Sequence, residues 1–195
     1  MKSRTMHRVT FLAAGGALLV LAAGAQAADG TWFGDQKALG KWTIGLKVGN
    51  MVHEADGYKD ATNRGVVVGY TFNRPVGPGS ASVEFEFTDT FDDGEIDQGF
   101  GLGGTGTWQV QTKAVYVAWR TDGTIYFKGK VGAVLADVKE RPTDAQELST
   151  DESAIAIGGG VGVRFGGNGS VEFEYTGGQG INDINFASVG AALHF

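Results

Sequence analysis

In the segment at residues 185–195, two kinds of side chain alternate strictly from residue 188 to the end. Val189, Ala191, Leu193 and Phe195 fall on one face, and the small or polar residues between them fall on the other. A period of two is the period of a β-strand, because successive side chains of a strand point to opposite sides of its sheet. The chain therefore ends in a predicted strand that belongs to a sheet with one apolar face.

Seven earlier segments show the same alternation, which gives eight predicted strands. The strands are residues 41–52, 65–73, 80–90, 107–120, 124–138, 153–165, 170–176 and the C-terminal segment. Compact turns follow the second, fourth and sixth strands, and longer polar loops follow the first, third, fifth and seventh. An even number of antiparallel strands with short turns at one end and long loops at the other is the layout of a bacterial outer-membrane barrel.

The fourth predicted strand can be placed with either face inward. Its first half has polar residues at odd positions, and its second half has apolar residues there. The Asp122-Gly123 pair favours a two-residue turn, which would pair Val117 with Lys128. In that register the odd positions of the first half point into the barrel: Thr107, Gln109, Gln111 and Lys113. The even positions then point outward: Trp108, Val110, Ala114, Tyr116 and Arg120. A three-residue turn or a bulge would reverse the second half.

Composition limits the chemistry open to this chain. Among 195 residues there are 33 glycines, 3 prolines and no cysteine, so disulfides, thiolate catalysis and cysteine metal sites are excluded. No apolar run after residue 30 is long enough for a membrane helix. The length suits one domain or one small barrel.

The N-terminus is predicted to be a cleaved secretory signal, residues 1–27. It has a basic start, an apolar core over residues 9–23 and an Ala25-Gln26-Ala27 cleavage signature. Its removal takes away Lys2, Arg4 and Arg8, leaving 13 Lys+Arg against 22 Asp+Glu, a net charge of about −9. Residues 28–40 are predicted to be a periplasmic lead-in. A nucleic-acid partner is excluded, because a basic footprint is absent.

The apolar face of the strands requires a cover. A soluble lipocalin-like barrel would keep that face inside, but here it is aromatic and aliphatic in nearly every strand, and the chain has no helices to cover it. Lipid is the natural cover, and a closed barrel satisfies every backbone group within lipid. Residues 41–195 are thus predicted to form an all-β, eight-stranded antiparallel up-and-down transmembrane β-barrel.

Charged residues on the other face are predicted to meet in the lumen. A cation facing lipid at the midplane would cost about 2–4 kcal/mol, and an eight-stranded barrel is only wide enough for side chains to fill it. The predicted lumen charge network consists of Lys47, Glu84, Glu86, Lys128, Lys130, Arg164, Glu172 and Glu174. We interpret it as a salt-bridged plug, with an ion gate or proton path as the functional alternative.

Other chemistry finds little support in the sequence. Of the three histidines, His7 lies in the signal, and His53 and His194 would stand at opposite rims of the barrel without an adjacent serine and orienting acid. The acidic loop at residues 89–97 lacks calcium-loop spacing, because Phe91 stands where a ligand is needed. No catalytic, cofactor or metal site is therefore predicted.

Several segments of the second half resemble the small OmpA/OmpX-type outer-membrane barrels. They are residues 114–123, 126–132, 160–165 and 188–195. The resemblance implies a monomer in the cell outer membrane, with loops at the cell surface and outer-membrane lipids and lipopolysaccharide around it. It also implies that Phe195 is the C-terminal insertion signal for the barrel-assembly machinery. Members of this family include structural, adhesive and weakly conducting proteins.

These observations lead to one functional hypothesis and two alternatives. The hypothesis is a non-enzymatic barrel with a plugged lumen and surface loops for structural or surface-contact roles. The first alternative is a narrow porin-like channel for ions or small solutes, and the second is a lipid A-modifying enzyme.

Overall fold

The computed structural model describes residues 40–54, 57–97, 105–143, 146–165, 168–179 and 184–195. The predicted signal at residues 1–27 and nearly all of the predicted lead-in at 28–40 lie outside these residues. Within the described part of the chain, no helix is long and apolar enough to cross a membrane.

The described residues form nine β-strands. They are β1 Gly40–His53, β2 Ala61–Pro75, β3 Gly79–Asp92, β4 Gly94–Ile96, β5 Gly106–Thr121, β6 Ile125–Pro142, β7 Leu148–Phe165, β8 Gly169–Gln179 and β9 Ile184–His194. Eight of these match the predicted strands, and most are longer than predicted. The short strand β4 was not predicted; it lies in the acidic loop and pairs with β5.

The eight long strands close into an antiparallel barrel. Sequential neighbours pair, β3 pairs with β5, and β1 closes the ring against β9. The register followed once around the ring from Trp42 returns to β1 at Val52, ten residues further on. Such a stagger accompanies strands that tilt relative to the barrel axis. The predicted fold class is confirmed.

Phe195 completes the closure of the ring. Its backbone N–H donates to the Trp42 carbonyl at 3.0 Å, and its carbonyl accepts from the Trp42 N–H at 2.8 Å. The aromatic side chain itself points outward and is 64% exposed. The terminal aromatic therefore extends the apolar outer face to the edge of the barrel.

The barrel has two distinct ends. At one, which we call the turn end, residues 76–78 and 122–124 connect the strands, β1 and β8 begin, and β7 and β9 end. The opposite end, which we call the loop end, carries the longer connections. The outer wall between the two ends is covered with exposed aromatic and aliphatic side chains.

The predicted facing of β5 is wrong. Arg120 pairs with Lys128 across β5 and β6, so the connection is three residues long, not two. Trp108, Val110, Ala114 and Tyr116 are consequently buried inside, with Arg120 also directed inward. Thr107, Gln109, Gln111 and Lys113 lie on the outer face.

The lumen is filled in two layers. The half nearer the turn end is polar and holds the charged residues described below. The half nearer the loop end is mainly apolar, with Asn63 and Thr88 as buried polar residues in it, although the sequence predicted an interior of small and polar residues. Its buried apolar residues are Met51, Ala61, Ile96, Trp108, Val110, Ala114, Tyr116, Val134, Ala136, Val138, Ala156, Ile184 and Phe186.

Candidate functional site: the charged lumen

The glutamates of the lumen come from two near-identical pentapeptides, residues 83–87 in β3 and residues 171–175 in β8. The period of two turns the aliphatic and aromatic residues of each pentapeptide outward and its two glutamates inward. The four inward residues are Glu84, Glu86, Glu172 and Glu174. The most exposed of these side chains, that of Glu172, is 14% exposed, so each carboxylate is removed from bulk water.

Four cations face these glutamates. They are Lys47 on β1, Arg120 on β5, and Lys128 and Lys130 on β6. In the closed ring β1 lies four strands from β6, and β3 lies four strands from β8. Around the circumference, the negative strands β3 and β8 therefore separate β1 from the adjacent positive strands β5 and β6, and every cation has carboxylates on both sides of it.

A ring of four residues crosses the lumen at the level of Lys47. Its ammonium group lies 2.9 Å from Glu86 and 2.7 Å from Glu174. From the opposite wall, the Lys130 ammonium lies 3.1 Å from Glu86 and 2.6 Å from Glu174. The two lysines thus share the same two carboxylates, and the ring is electrically neutral.

Below this ring, toward the turn end, Lys128 and Arg120 extend the network. The Lys128 ammonium contacts three carboxylates, at 2.9 Å from Glu84, 3.1 Å from Glu172 and 2.7 Å from Glu174. The Arg120 guanidinium lies 2.6 Å from Glu172 and also pairs with Glu84. Glu174 therefore joins both levels into one network of four cations and four anions.

Arg164 lies apart from this network, at the turn end. Its guanidinium donates to the carbonyls of Thr121 and Gly123 and stacks on the ring of Tyr126, 4.1 Å from the ring centroid. Arg120 occupies the position in the network that the sequence assigned to Arg164. The outward placement of Arg120 followed from the two-residue turn, and the signal against it was the inward Lys128, with which a three-residue turn pairs Arg120.

Aromatic rings mark the boundary between the two layers of the lumen. The Lys130 ammonium lies 4.0 Å from the centroid of the Tyr116 ring, and the Lys47 ammonium lies 5.4 Å from that of Phe186. Aromatic faces attract cations while presenting an apolar edge to the next layer. The charged layer therefore passes directly into the apolar one.

A small cap covers the apolar layer at the loop end. Tyr58 forms an isolated bridge with Ile96, and the indole N–H of Trp108 donates to the Lys59 carbonyl at 2.8 Å. Ile96 and Trp108 are 1% and 0% exposed. The Tyr58 hydroxyl donates to Glu140 at 2.9 Å, and burial, that hydrogen bond and the charge of Glu140 raise the pKa of Tyr58 to about 12.

The two histidines of the barrel lie at opposite ends, as predicted. At the turn end the His194 ring lies between two hydroxyls, with Nδ1 2.9 Å from Thr43 and Nε2 2.9 Å from Ser170. Ser170 is fully buried, so its hydroxyl is closed to a substrate. His53 stacks on Tyr58 at the loop end, with ring centroids 4.1 Å apart.

Among the residues that the structure describes, no three His, Cys, Asp or Glu side chains lie close enough together to bind a metal ion. In the acidic loop, Glu95 and Asp97 instead pair with Lys59, at 2.6 Å and 3.2 Å. These pairs are exposed at the loop end.

Comparison with known proteins places the chain in a family. The family model described as outer membrane protein beta-barrel domain matches residues 15–195. A search of curated proteins gives no match.

Among solved structures, the N-terminal β-barrel domain of Pseudomonas aeruginosa OprF is 14% identical with a TM-score of 0.52, covering 80% of this chain and 99% of that one. The attachment invasion locus protein Ail of Yersinia pestis is 17% identical with a TM-score of 0.52, again covering 80% and 99%. At such identities the likeness establishes the shared fold.

Because the family match spans the whole barrel, and because the closed ring of eight long strands carries its apolar face outward, this chain belongs to the outer-membrane β-barrel domain family and is a small barrel of the OmpA/OmpX type.

Proposed function

We propose that this protein is a non-enzymatic outer-membrane barrel whose lumen is closed and whose loop end makes structural or surface contacts. The observation that carries the proposal is the neutral network of four cations and four glutamates that spans the lumen. The expected monomer, its lipopolysaccharide surroundings and the recognition of Phe195 by the assembly machinery are part of this proposal.

The charge network opposes ion conduction for an energetic reason. Removing one partner of a buried ion pair costs about 3–5 kcal/mol, since the remaining charge is left without compensation. An ion passing through the lumen would have to separate contacts such as those of Lys128, which touches three carboxylates. Such a cost at each step supports a static closure.

The apolar layer adds a second obstacle. Val110, Val138 and Trp108 are at most 3% exposed, and they fill the lumen between the charge network and the loop end. An ion in this layer would lose its hydration among side chains that are mainly apolar, which is strongly unfavourable. Two layers of opposite chemistry thus support the same conclusion.

The loop end offers an acidic surface. Glu95, Asp97 and Glu147 carry exposed carboxylates there, partly paired with Lys59 and Arg141. One structure of Ail contains the heparin analogue sucrose octasulfate, but an acidic surface would repel a polyanion directly. We propose that this surface meets the phosphate groups of lipopolysaccharide through divalent cations from solution.

A catalytic role has little structural support. The contact between Ser170 and His194 is the arrangement closest to a nucleophile and a base, and its serine is fully buried while Thr43 occupies the second ring nitrogen. His53 stacks on Tyr58 in the cap. We expect cells that produce the protein to have unmodified lipid A by mass spectrometry; an altered lipid A that depends on His53 would contradict the proposal.

The closed lumen is tested by single-channel recording of the refolded chain in a planar bilayer. We expect an inserted barrel without discrete current steps, its folding checked on the same sample by the gel mobility of the unboiled protein. Steps in the unmodified chain whose size or ion preference changes in Glu84→Gln/Glu172→Gln would establish a pore instead.

A matched control separates these outcomes from a general effect of charge. Glu95→Gln/Asp97→Asn removes two carboxylates from the exposed loop end, where Lys59 is their partner. If the lumen is closed, Glu84→Gln/Glu172→Gln lowers the stability of the barrel while this control leaves it nearly unchanged.

A further inference from the structure

A cavity opens at the turn end of the barrel, below the charge network that closes the lumen. Its volume is about 370 Å³, which lies at the lower end of the range for small-molecule sites. Its lining comes from the starts of β1, β3, β6 and β8, the ends of β2, β5, β7 and β9, and the β5–β6 turn. The cavity lies below Arg120, the member of the charge network nearest to the turn end.

The described lining of this cavity is strongly cationic. Its charged side chains are Lys41, Arg74, Arg120 and Arg164, with Asp122 as the carboxylate. Glu84 and Glu172 already neutralise Arg120. Even without Arg74, Lys41 and Arg164 outnumber Asp122 in this lining, in a chain whose overall net charge is −6.

Two of these cations are well placed to meet a ligand. Lys41 is exposed at the beginning of β1. Arg164 is held rigidly, because its guanidinium donates to the carbonyls of Thr121 and Gly123 and stacks on Tyr126. Carbonyl contacts hold the guanidinium in place without cancelling its positive charge.

We infer that this turn-end cavity binds a phosphate monoester. Guanidinium groups recognise planar or tetrahedral oxyanions by paired hydrogen bonds, and lysine adds a point charge that suits phosphate. The hydroxyls of Thr71 and Ser80 also line the cavity and can contact the remaining oxygens. The volume accommodates the phosphate and part of the group that carries it.

The test measures binding of inorganic phosphate and of dilauroyl phosphatidic acid to the refolded chain in a phosphate-free detergent, by isothermal titration calorimetry. Saturable binding of inorganic phosphate identifies a site open to free phosphates. Binding of phosphatidic acid alone identifies a lipid headgroup as the source. Either result supports the site, and no saturable binding of either probe overturns it.

Variants locate the site. Lys41→Gln is expected to weaken binding about tenfold, the effect of losing one charge-assisted hydrogen bond, and Lys41→Gln/Arg74→Gln to abolish it. Lys59→Gln/Arg141→Gln removes the same charge from the loop end and is expected to bind like the unmodified chain. Equal weakening by this control would show attraction to net charge alone and overturn the inference. Lys41 is exposed, so its single variant keeps the test valid if the double variant fails to fold.

Discussion

Lys128 and Glu174 are in contact at 2.7 Å although a whole strand, β7, lies between them. The residue of β7 in register with both is Gly160. Gly158 and Gly162 stand at the neighbouring inward positions, next to Lys130 and Tyr126. The inward face of β7 is therefore bare where side chains of β6 cross it to reach the glutamates of β8.

The first prediction concerns this bare face. A Cβ at Gly162 would lie 2.3 Å from the ring of Tyr126, whose hydroxyl donates to Glu172 at 2.7 Å. We expect Gly162→Ala to lower the free energy of unfolding by about 1–3 kcal/mol, as overpacking of a filled interior does. Denaturant unfolding of the barrel in lipid vesicles, followed by tryptophan fluorescence, measures this change.

Gly129 is the control for this prediction. It lies on the outer face of β6, where an added Cβ has nothing within 4 Å. Gly129→Ala is therefore expected to be neutral or to stabilise the barrel by up to about 1 kcal/mol, because alanine loses less backbone entropy on folding. Equal destabilisation by both alanines would show that the bare face of β7 is incidental.

The second prediction concerns Glu174, the carboxylate shared by both levels of the network. It contacts Lys47, Lys128 and Lys130, so Glu174→Gln leaves three buried ammonium groups with less compensation. We expect the free energy of unfolding to fall by about 3–5 kcal/mol. The measurement is the same unfolding experiment in vesicles.

Glu95→Gln provides the comparison for an exposed pair. Glu95 and Lys59 are 61% and 56% exposed, and such pairs contribute about 0–1 kcal/mol. A cost for Glu174→Gln no larger than that of Glu95→Gln would mean that water screens the lumen charges, contrary to a closed interior.

The third prediction tests the facing of β5 by fluorescence. Trp108 is fully buried inside the barrel, whereas Trp119 lies on the outer face nearer the turn end. In chains that retain a single tryptophan, we expect brominated lipids to quench Trp119 strongly and Trp108 weakly. Strong quenching of Trp108 with weak quenching of Trp119 would show that β5 has the opposite facing, with Trp108 toward lipid.

The strand pattern and the closed barrel could be predicted from the sequence because the alternation is physical and local. Lipid on one side and a narrow lumen on the other impose opposite demands on successive residues. The same alternation revealed the inward direction of Glu84, Glu86, Lys128 and Lys130. These residues lie where the outer wall is apolar, so polarity and facing agree.

The facing of β5 could not be predicted because the polarity of a residue does not indicate its facing along the whole of that strand. Its outward residues are apolar at Val115, Val117 and Trp119 but polar from Thr107 to Lys113. Toward the loop end the outer wall becomes polar while the interior still has to be filled, so the apolar residues turn inward. The pattern inverts without a break in period, and only the length of the turn at residues 122–124 decides the register.

The last prediction is a pH dependence at the loop-end cap. The pKa of Tyr58 is about 12 instead of 10, because burial and its contact with Glu140 both disfavour the phenolate. The raised value means that the folded cap holds the proton more tightly than the unfolded chain. The stability that Tyr58 contributes is therefore complete below pH 10 and is lost as the pH rises from 10 to 12.

The difference in phenolate absorbance between the unmodified barrel and Tyr58→Phe should titrate near pH 12. In Glu140→Gln the midpoint should fall but stay above 10, since the burial of Tyr58 remains; a midpoint at 10 in the unmodified barrel would show that the cap is open to solvent.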